Sequence, residues 1–566
     1  MGLNATSSLL IRAICAALAL FVARFLYRAY VQRSRVRALK AQGIPILPHS
    51  FLFGHLPILG EWRAENPADA NFYSFHIWLI KNCRRYFPDL DFPPPVVYLD
   101  IWPIETPLAV VFDPVTAAQF AHTTSLPKLA LATNFLEPLT SKIDIVTNEG
   151  VEWKTWRSRF NPGFSQRNLI AMLPELIEEV SIFVSQLEGL AGTDGKWGSM
   201  FQLEEKTTNL TFDIICRAAL GMRLNEQQRI EPSPLKLALL DQIRLMGLGA
   251  NAARALPIGR MPWHNTAVRR NNKILRDLMM PQIQRKLESD SNDSQVKTIV
   301  DLAIKYIDKD DPNASRAKPN AEFVDRLISN LKAFLFAGHD TTAATLCLMF
   351  KLLQDNPECL VKLRAEHDAV LGPDPSQAVA VLTQSPHLLY SLPYTLGVIK
   401  ETLRLNPLAA TLREATPGFF LTAPGSPMRY PVEGWGVWLS APGVARNPNY
   451  WPRPNEFIPE RWVVPEGDPL HPVNNHAWAP FSIGPRNCIG MELALIELRI
   501  VSVLVSRQFD IEEAWDNWDK QKGSNATPNL NIDGERLYWA GDGIVHPKDG
   551  MPVHVKLRQH SPVVLP

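Results

Sequence analysis

Phe481-Ser-Ile-Gly-Pro-Arg-Asn-Cys-Ile-Gly490, close to the C-terminal end, is the stretch from which the rest of the chain can be read. A lone cysteine set between two glycines, with arginine and phenylalanine upstream, suits a thiolate ligand to haem iron. Gly484 and Gly490 let backbone approach a flat macrocycle where a side chain would clash. Phe481 can cover the sulfur with an aromatic face, and Arg486 can pair with a haem propionate. Met491-Glu-Leu-Ala-Leu-Ile-Glu-Leu-Arg499 continues as helix, which sets Cys488 at a helix N-terminus. Free backbone N–H groups and the dipole there favour a thiolate and tune its donation to iron. The plain alternative is a buried cysteine in a glycine-rich turn. Five matched positions would arise by chance in only about one such chain in ten thousand.

Three further segments stand upstream: Ala337-Gly-His-Asp-Thr-Thr342, Lys400-Glu-Thr-Leu-Arg404 and Pro459-Glu-Arg-Trp462. In this order, with the cysteine segment, they resemble the cytochrome P-450 family, and the resemblance extends from about residue 45 to 558. It implies a mainly α fold with a small β region, haem b (iron protoporphyrin IX) as cofactor, and Cys488 as the axial metal ligand. Gly338 costs roughly 1 kcal/mol relative to Ala inside a helix, and Thr341 can return its hydroxyl to the Ala337 carbonyl. Both loosen the helix beside a bound ligand. Asp340 and Thr341 then supply the acid and the hydroxyl that a proton relay for dioxygen cleavage needs. Glu401 and Arg404, spaced i and i+3, share one helix face. On its own such a pair is an exposed ion pair of little worth. The resemblance implies instead that it is buried, completed by Arg461, and structural.

Trp153-Lys-Thr-Trp-Arg157 sets an indole and a guanidinium one helical turn apart. It resembles the family's helix that holds the haem carboxylates, and Arg413, after Leu-Asn-Pro407, matches another propionate-binding position. Leu408-Ala-Ala-Thr411 is expected to face the haem. The chain departs from the pattern at Ala445-Arg446, where His-Arg is common, and at His546, where Arg is common. A polar insertion over about Glu513 to Arg536 is a third departure.

Of 566 residues, 58 are Lys or Arg and 57 Asp or Glu, a balance that leaves no electrostatic footprint for nucleic acid. Six cysteines without CxxC spacing exclude a disulfide framework and a clustered zinc site. Leu9 to Tyr27 is apolar apart from Arg12 and Arg24. Nineteen helical residues span about 28 Å, enough for a bilayer core. Arg24, Arg28, Arg33, Arg35, Arg37 and Lys40 follow, so the positive-inside rule places the remainder in the cytosol. A cleaved secretory signal fits less well, because no basic segment precedes the apolar one. The reading is a single-pass anchor over 1–28 in the endoplasmic reticulum membrane, a basic, Pro-containing linker over 29–50, and one haem-thiolate monooxygenase domain over 51–566. The core motifs all lie beyond residue 150, so loss of residues 1–40 is expected to leave haem binding intact. Asn-x-Ser/Thr sequons at Asn209, Asn313 and Asn525 would be chance matches on the cytosolic side, and Asn4 lies close to the membrane.

Val96-Val-Tyr-Leu-Asp-Ile-Trp102 and Leu108-Ala-Val-Val-Phe112 read as strands, and most of the rest as helix. A helix from about Phe323 to Asn356-Pro357, some 50 Å long and apolar on most sides, should cross the centre of the domain. Polar breaks at 289–294 and 308–320 flank a short helix. No flavin- or nicotinamide-binding segment is evident, so electrons are expected from NADPH by way of a separate NADPH–cytochrome reductase. The partners are then that reductase, membrane lipid and a lipophilic small-molecule substrate, and the overall pattern resembles fungal enzymes of secondary metabolism. Two other functions stay open: a haem-thiolate isomerase or dehydratase, which needs no reductase, and a haem-bearing lipid-binding protein. Neither needs Asp340 and Thr341.

Overall fold

A computed structural model describes residues 2–252, 261–288, 296–305, 320–528, 530–541 and 545–558. The polar break at 289–294, most of that at 308–320, and Asn313 lie outside them. The short helix expected between the breaks is Ile299–Ile304, capped reciprocally by Thr298 and Asp301.

The long helix runs from Ala321 to Asp355. Asn320 caps its start, its side chain accepting from the Phe323 N–H at 2.7 Å, and Asn356-Pro357 ends it. From Leu327 to Phe350 all side chains are buried except around residues 336–341. Ala337 and Thr341, one turn apart, are exposed. The helix packs along Leu203–Leu220, where Gly338 lets Ile215 approach: a Cβ there would fall 2.9 Å from Ile215 Cγ1. Gly338 therefore serves helix–helix contact, and the helix is continuous through it.

A four-stranded sheet lies to one side, in the order Val96–Leu99, Leu108–Val111, Gly436–Leu439, Thr411–Glu414. Leu108–Val111 pairs in parallel with Gly436–Leu439, and the other pairs are antiparallel. Both strands expected from sequence are present and buried along their length, which their β-branched residues favour, but they end at Leu99 and Val111, short of Trp102 and Phe112. A three-stranded sheet brings Phe201–Gln202 and Phe509–Glu513 to either side of Pro552–Leu557. The polar insertion contributes the end of that sheet and a helix, Trp515–Lys522, which Arg536 ties through Asp519 at 2.7 and 2.9 Å.

The N-terminal helix does not stop near residue 28. It runs from Gly2 to Ala41, with residues 10–28 exposed and Arg33, Val36 and Leu39 buried against the sheet side. Arg33 forms an ion pair with fully buried Asp100 and donates to the Trp102 carbonyl at 3.0 Å. His49 meets the same carboxylate at 2.9 Å, and Phe25 packs on Trp102 at 4.7 Å. The stretch 29–50, expected as a linker, is thus packed structure. A charge such as Arg33 enters a protein interior only with a partner, and Asp100, far along the chain, supplies it.

Candidate functional site

Cys488 sits in the loop before the helix Met491–Ser506, whose N-cap is Gly490. Its N–H donates to the Phe481 carbonyl at 2.9 Å, closing the loop on itself. Burial pushes the thiol upward, against the pull of the Gly490 and Met491 N–H groups and the Arg157 guanidinium. The side chain is nonetheless open at its surface. The two observations fit a sulfur at the floor of a deep recess. A Cβ at Gly490 would meet the sulfur and Phe164 at 3.9 Å, an ordinary contact, so the protein's own packing does not require glycine there. Gly484 has a different reason from the one expected. Its φ of +78° suits a glycine, and a Cβ would fall 2.6 Å from the Ala121 carbonyl and the His122 Cα.

The loop is held from behind. Glu401 accepts from Arg404 Nε and Nη2 at 2.9 and 2.8 Å and from Arg461 Nε at 3.1 Å, all three side chains being fully buried. It also accepts from the Ile458 N–H at 3.0 Å and the Trp462 indole at 3.1 Å. Trp462 packs edge-on against Trp478 at 5.8 Å, and Trp478 against Phe481 at 5.9 Å. An aromatic column thus runs from the charge cluster to the residue whose carbonyl anchors Cys488. Trp478 carries no motif of its own, and only the fold reveals it. Arg404 Nη1 bonds the Ala445 carbonyl at 2.6 Å, so at Ala445, a departure from the family pattern, backbone is what meets the cluster.

Four cations and an indole gather at the edge of the recess. Arg486 is held by Glu149 and by the Asn148 carbonyl at 2.8 Å, with its guanidinium 4.5 Å over Trp153. Arg413 is fully buried, and its Nε and Nη2 have no hydrogen-bond partner. Burial, then the nearby Arg486, pushes it down to about 10. Lys128, paired across the backbone with Arg413, is pushed down to about 7 by burial and by Arg413 and Arg486. Arg413, buried with two orphaned donors beside Arg486 and Lys128, calls for an anion in addition to Glu149, which already faces all three. A flat macrocycle with two carboxylates and a thiolate-ligated metal fits this donor set. Arg157 has another partner: it donates to the Asn487 carbonyl at 2.8 Å, to Asn487 Oδ1 at 3.0 Å and to Asn161 at 3.0 Å. It braces the residue before Cys488. Lys128 and Glu149 escape a reading of the sequence, because nothing local marks them.

On the long helix, Thr341 Oγ1 donates to the Ala337 carbonyl at 2.9 Å as expected. Thr211 takes the His339 carbonyl at 2.7 Å, so two carbonyls of this turn are shared with hydroxyls. Asp340 lies 3.0 Å from His339 Nε2. Burial works to raise its carboxyl, but His339, His546 and Lys236 together hold it below the usual range. Thr411 does not face the recess. Its side chain is buried and donates to Ser482 at 2.9 Å, tying the sheet to the cysteine loop, while Ala409 and Ala410 remain exposed.

Comparison with known proteins agrees with this arrangement. The model of the family described as Cytochrome P450 matches residues 97–532. The chain belongs to the cytochrome P450 family. It is 37% identical over 542 residues to cytochrome P450 monooxygenase polC of Polytolypa hystricis, covering 95% of this chain and 94% of the relative. Cytochrome P450 monooxygenase acrF of Aspergillus aculeatus is 29% identical, over 81% of this P450 and 94% of that one. The crystal structure of the cytochrome P450DA heme domain superposes with a TM-score of 0.66 at 20% identity, covering 91% of this chain and 98% of that one. That likeness is one of fold. The chain is therefore a P450 of the monooxygenase kind, and the family fold implies a haem-thiolate cofactor.

Proposed function

We propose that this P450 inserts one atom of dioxygen into a lipophilic small molecule, by hydroxylation, epoxidation or a related oxidation, in secondary-metabolite biosynthesis. Electrons come from NADPH through a membrane-bound NADPH–cytochrome reductase. The single-pass helix holds the enzyme in the endoplasmic reticulum membrane with its catalytic domain in the cytosol. Cys488 would ligate the iron, and Arg413, Arg486 and Lys128, with Trp153 beneath Arg486, would hold the propionates. Bound haem supplies dioxygen activation, to which thiolate ligation lends the electron density that favours O–O cleavage.

The observation that carries the reading is Asp340 beside Thr341 on the one turn within the buried stretch Leu327–Phe350 whose outer residues, Ala337 and Thr341, are exposed. A carboxylate fed by three basic groups and a hydroxyl at the open face can move protons inward from the protein. Enzymes that rearrange a peroxide already present in the substrate have no use for this pair. Ala409 and Ala410 offer the substrate a small, apolar wall.

The test is product formed per NADPH oxidised, with reductase supplied. Thr341→Ala should keep folding and haem, since one lost hydroxyl costs at most about 1–2 kcal/mol. It should release more of its electrons as hydrogen peroxide. Asp340→Asn should slow turnover. Unchanged rate and coupling in both variants, or product without NADPH, would overturn the reading.

A further inference from the structure

The relay has a member that the family pattern does not name. His339 is fully buried, with its imidazole edge against Phe212 at 5.6 Å. Its Nδ1 lies 2.7 Å from the Leu335 carbonyl. A carbonyl can only accept, so Nδ1 carries a hydrogen and Nε2 is the nitrogen that gains or loses a proton. That nitrogen sits 3.0 Å from Asp340 Oδ1, off the line of a good hydrogen bond, and has no other partner. A neutral ring would press its lone pair against an anionic oxygen in a buried place. One proton, on either atom, turns that repulsion into attraction.

We propose that His339 is a positioning residue that stores the relay proton, sharing it with Asp340 next to Thr341. This rests on the monooxygenase reading above. Reducing one oxygen atom of dioxygen to water takes up protons in every turnover. The proton leaves His339 Nε2 for the Asp340 carboxylate, and Asp340 passes it to the Thr341 hydroxyl. Thr341 gives its own hydrogen in exchange to the oxygen atom being reduced to water. The imidazole is left neutral until a proton returns from solvent.

The surroundings suit this traffic. His546, on the short strand His546–Pro547 that packs against the long helix, is part-exposed and lies 2.7 Å from Glu204. It couples electrostatically to Asp340. From another helix, Lys236 faces Asp340 and is itself countered by Glu226, Asp213 and Glu205. Thr211 fixes the His339 backbone from the packed helix. A residue needed only to fill space beside Phe212 would not require a ring nitrogen 3.0 Å from the carboxylate.

Full-length holoprotein carries the test. Histidine-labelled ferrous carbon monoxide protein is followed by NMR as pH rises from about 5 to 8, the range in which an ordinary histidine changes charge. One imidazole signal, absent from His339→Gln, should titrate and should shift its midpoint in Asp340→Asn. With reductase, wild-type coupling should fall at least about threefold across that same titration. His339→Gln should be uncoupled about fivefold, with a flat pH profile and unchanged substrate KM. Wild-type coupling and pH profile in His339→Gln overturn the proposal, as does a signal indifferent to Asp340→Asn. Should the glutamine variant lose haem, His339→Asn takes its place in both the NMR and the coupling arms. If Thr341→Ala uncouples while His339→Gln does not, only the role of His339 falls. If neither does, the monooxygenase relay itself is wrong.

Discussion

Removing the Glu401 carboxylate strands two guanidinium groups at once. Arg404 and Arg461 are fully buried, and Glu401 is the carboxylate that both contact. Breaking a buried ion pair on one side typically costs about 3–5 kcal/mol. After Glu401→Ala, Arg404 would keep carbonyl bonds to Ala445, Pro454 and Glu456, and Arg461 one to Arg453. Those partners satisfy hydrogens without neutralising charge, and the Ile458 and Trp462 N–H groups lose their acceptor as well. The upper half of the range is therefore expected, about 4–5 kcal/mol, or roughly a thousandfold in the folded-to-unfolded ratio. Because Trp462 heads the aromatic column to Phe481, the loss should reach the Cys488 loop and lower haem retention. The assay is haem per protein together with the urea midpoint, for wild type, Glu401→Gln and Glu401→Ala. Glutamine keeps acceptor oxygen without charge and should fall between. Wild-type haem content and midpoint in Glu401→Ala would refute the reasoning.

Cys488→Ser should lose the long-wavelength band of the reduced carbon monoxide complex, because a neutral hydroxyl lacks the thiolate's electron donation; retention of that band would exclude Cys488 as ligand. Truncation should depend sharply on where it is made. Removing residues 1–24 spares both the Phe25–Trp102 contact and the Arg33–Asp100 pair and should leave thermal stability unchanged, whereas removing 1–41 leaves buried Asp100 with His49 alone and should cost part of the about 3–5 kcal/mol of a broken buried pair. Equal melting of the two forms would show that the pair contributes nothing. Burial opposes the charge on His546, but Glu204 and then Asp340 raise it above its ordinary 6.5. The stabilisation from this pair should be complete below about pH 6.5 and fade as pH rises through the raised folded value. The stability difference between wild type and Glu204→Gln should narrow as pH rises above about 6.5, and a constant difference would contradict the assignment.

Local chemistry makes much of this protein legible in its sequence. The cysteine loop, the long helix with its Asn320 cap and Asn356-Pro357 stop, and the two buried strands each depend on neighbours within a few residues. Such features are set by backbone preference and periodicity, which a linear reading can follow. Arg33 meeting Asp100, Lys128 joining Arg413 and Arg486, Arg157 turning to Asn487, Thr411 turning to Ser482, and Trp478 linking Glu401 to Cys488 are not legible there. Each is a pairing across tens or hundreds of residues, chosen because a buried charge or N–H must find a partner wherever the packed chain offers one. Sequence determined which residues could carry the chemistry. Only the tertiary structure decided which of them face the recess and which hold it up, because desolvation acts on a group's surroundings in space and not on its place along the chain.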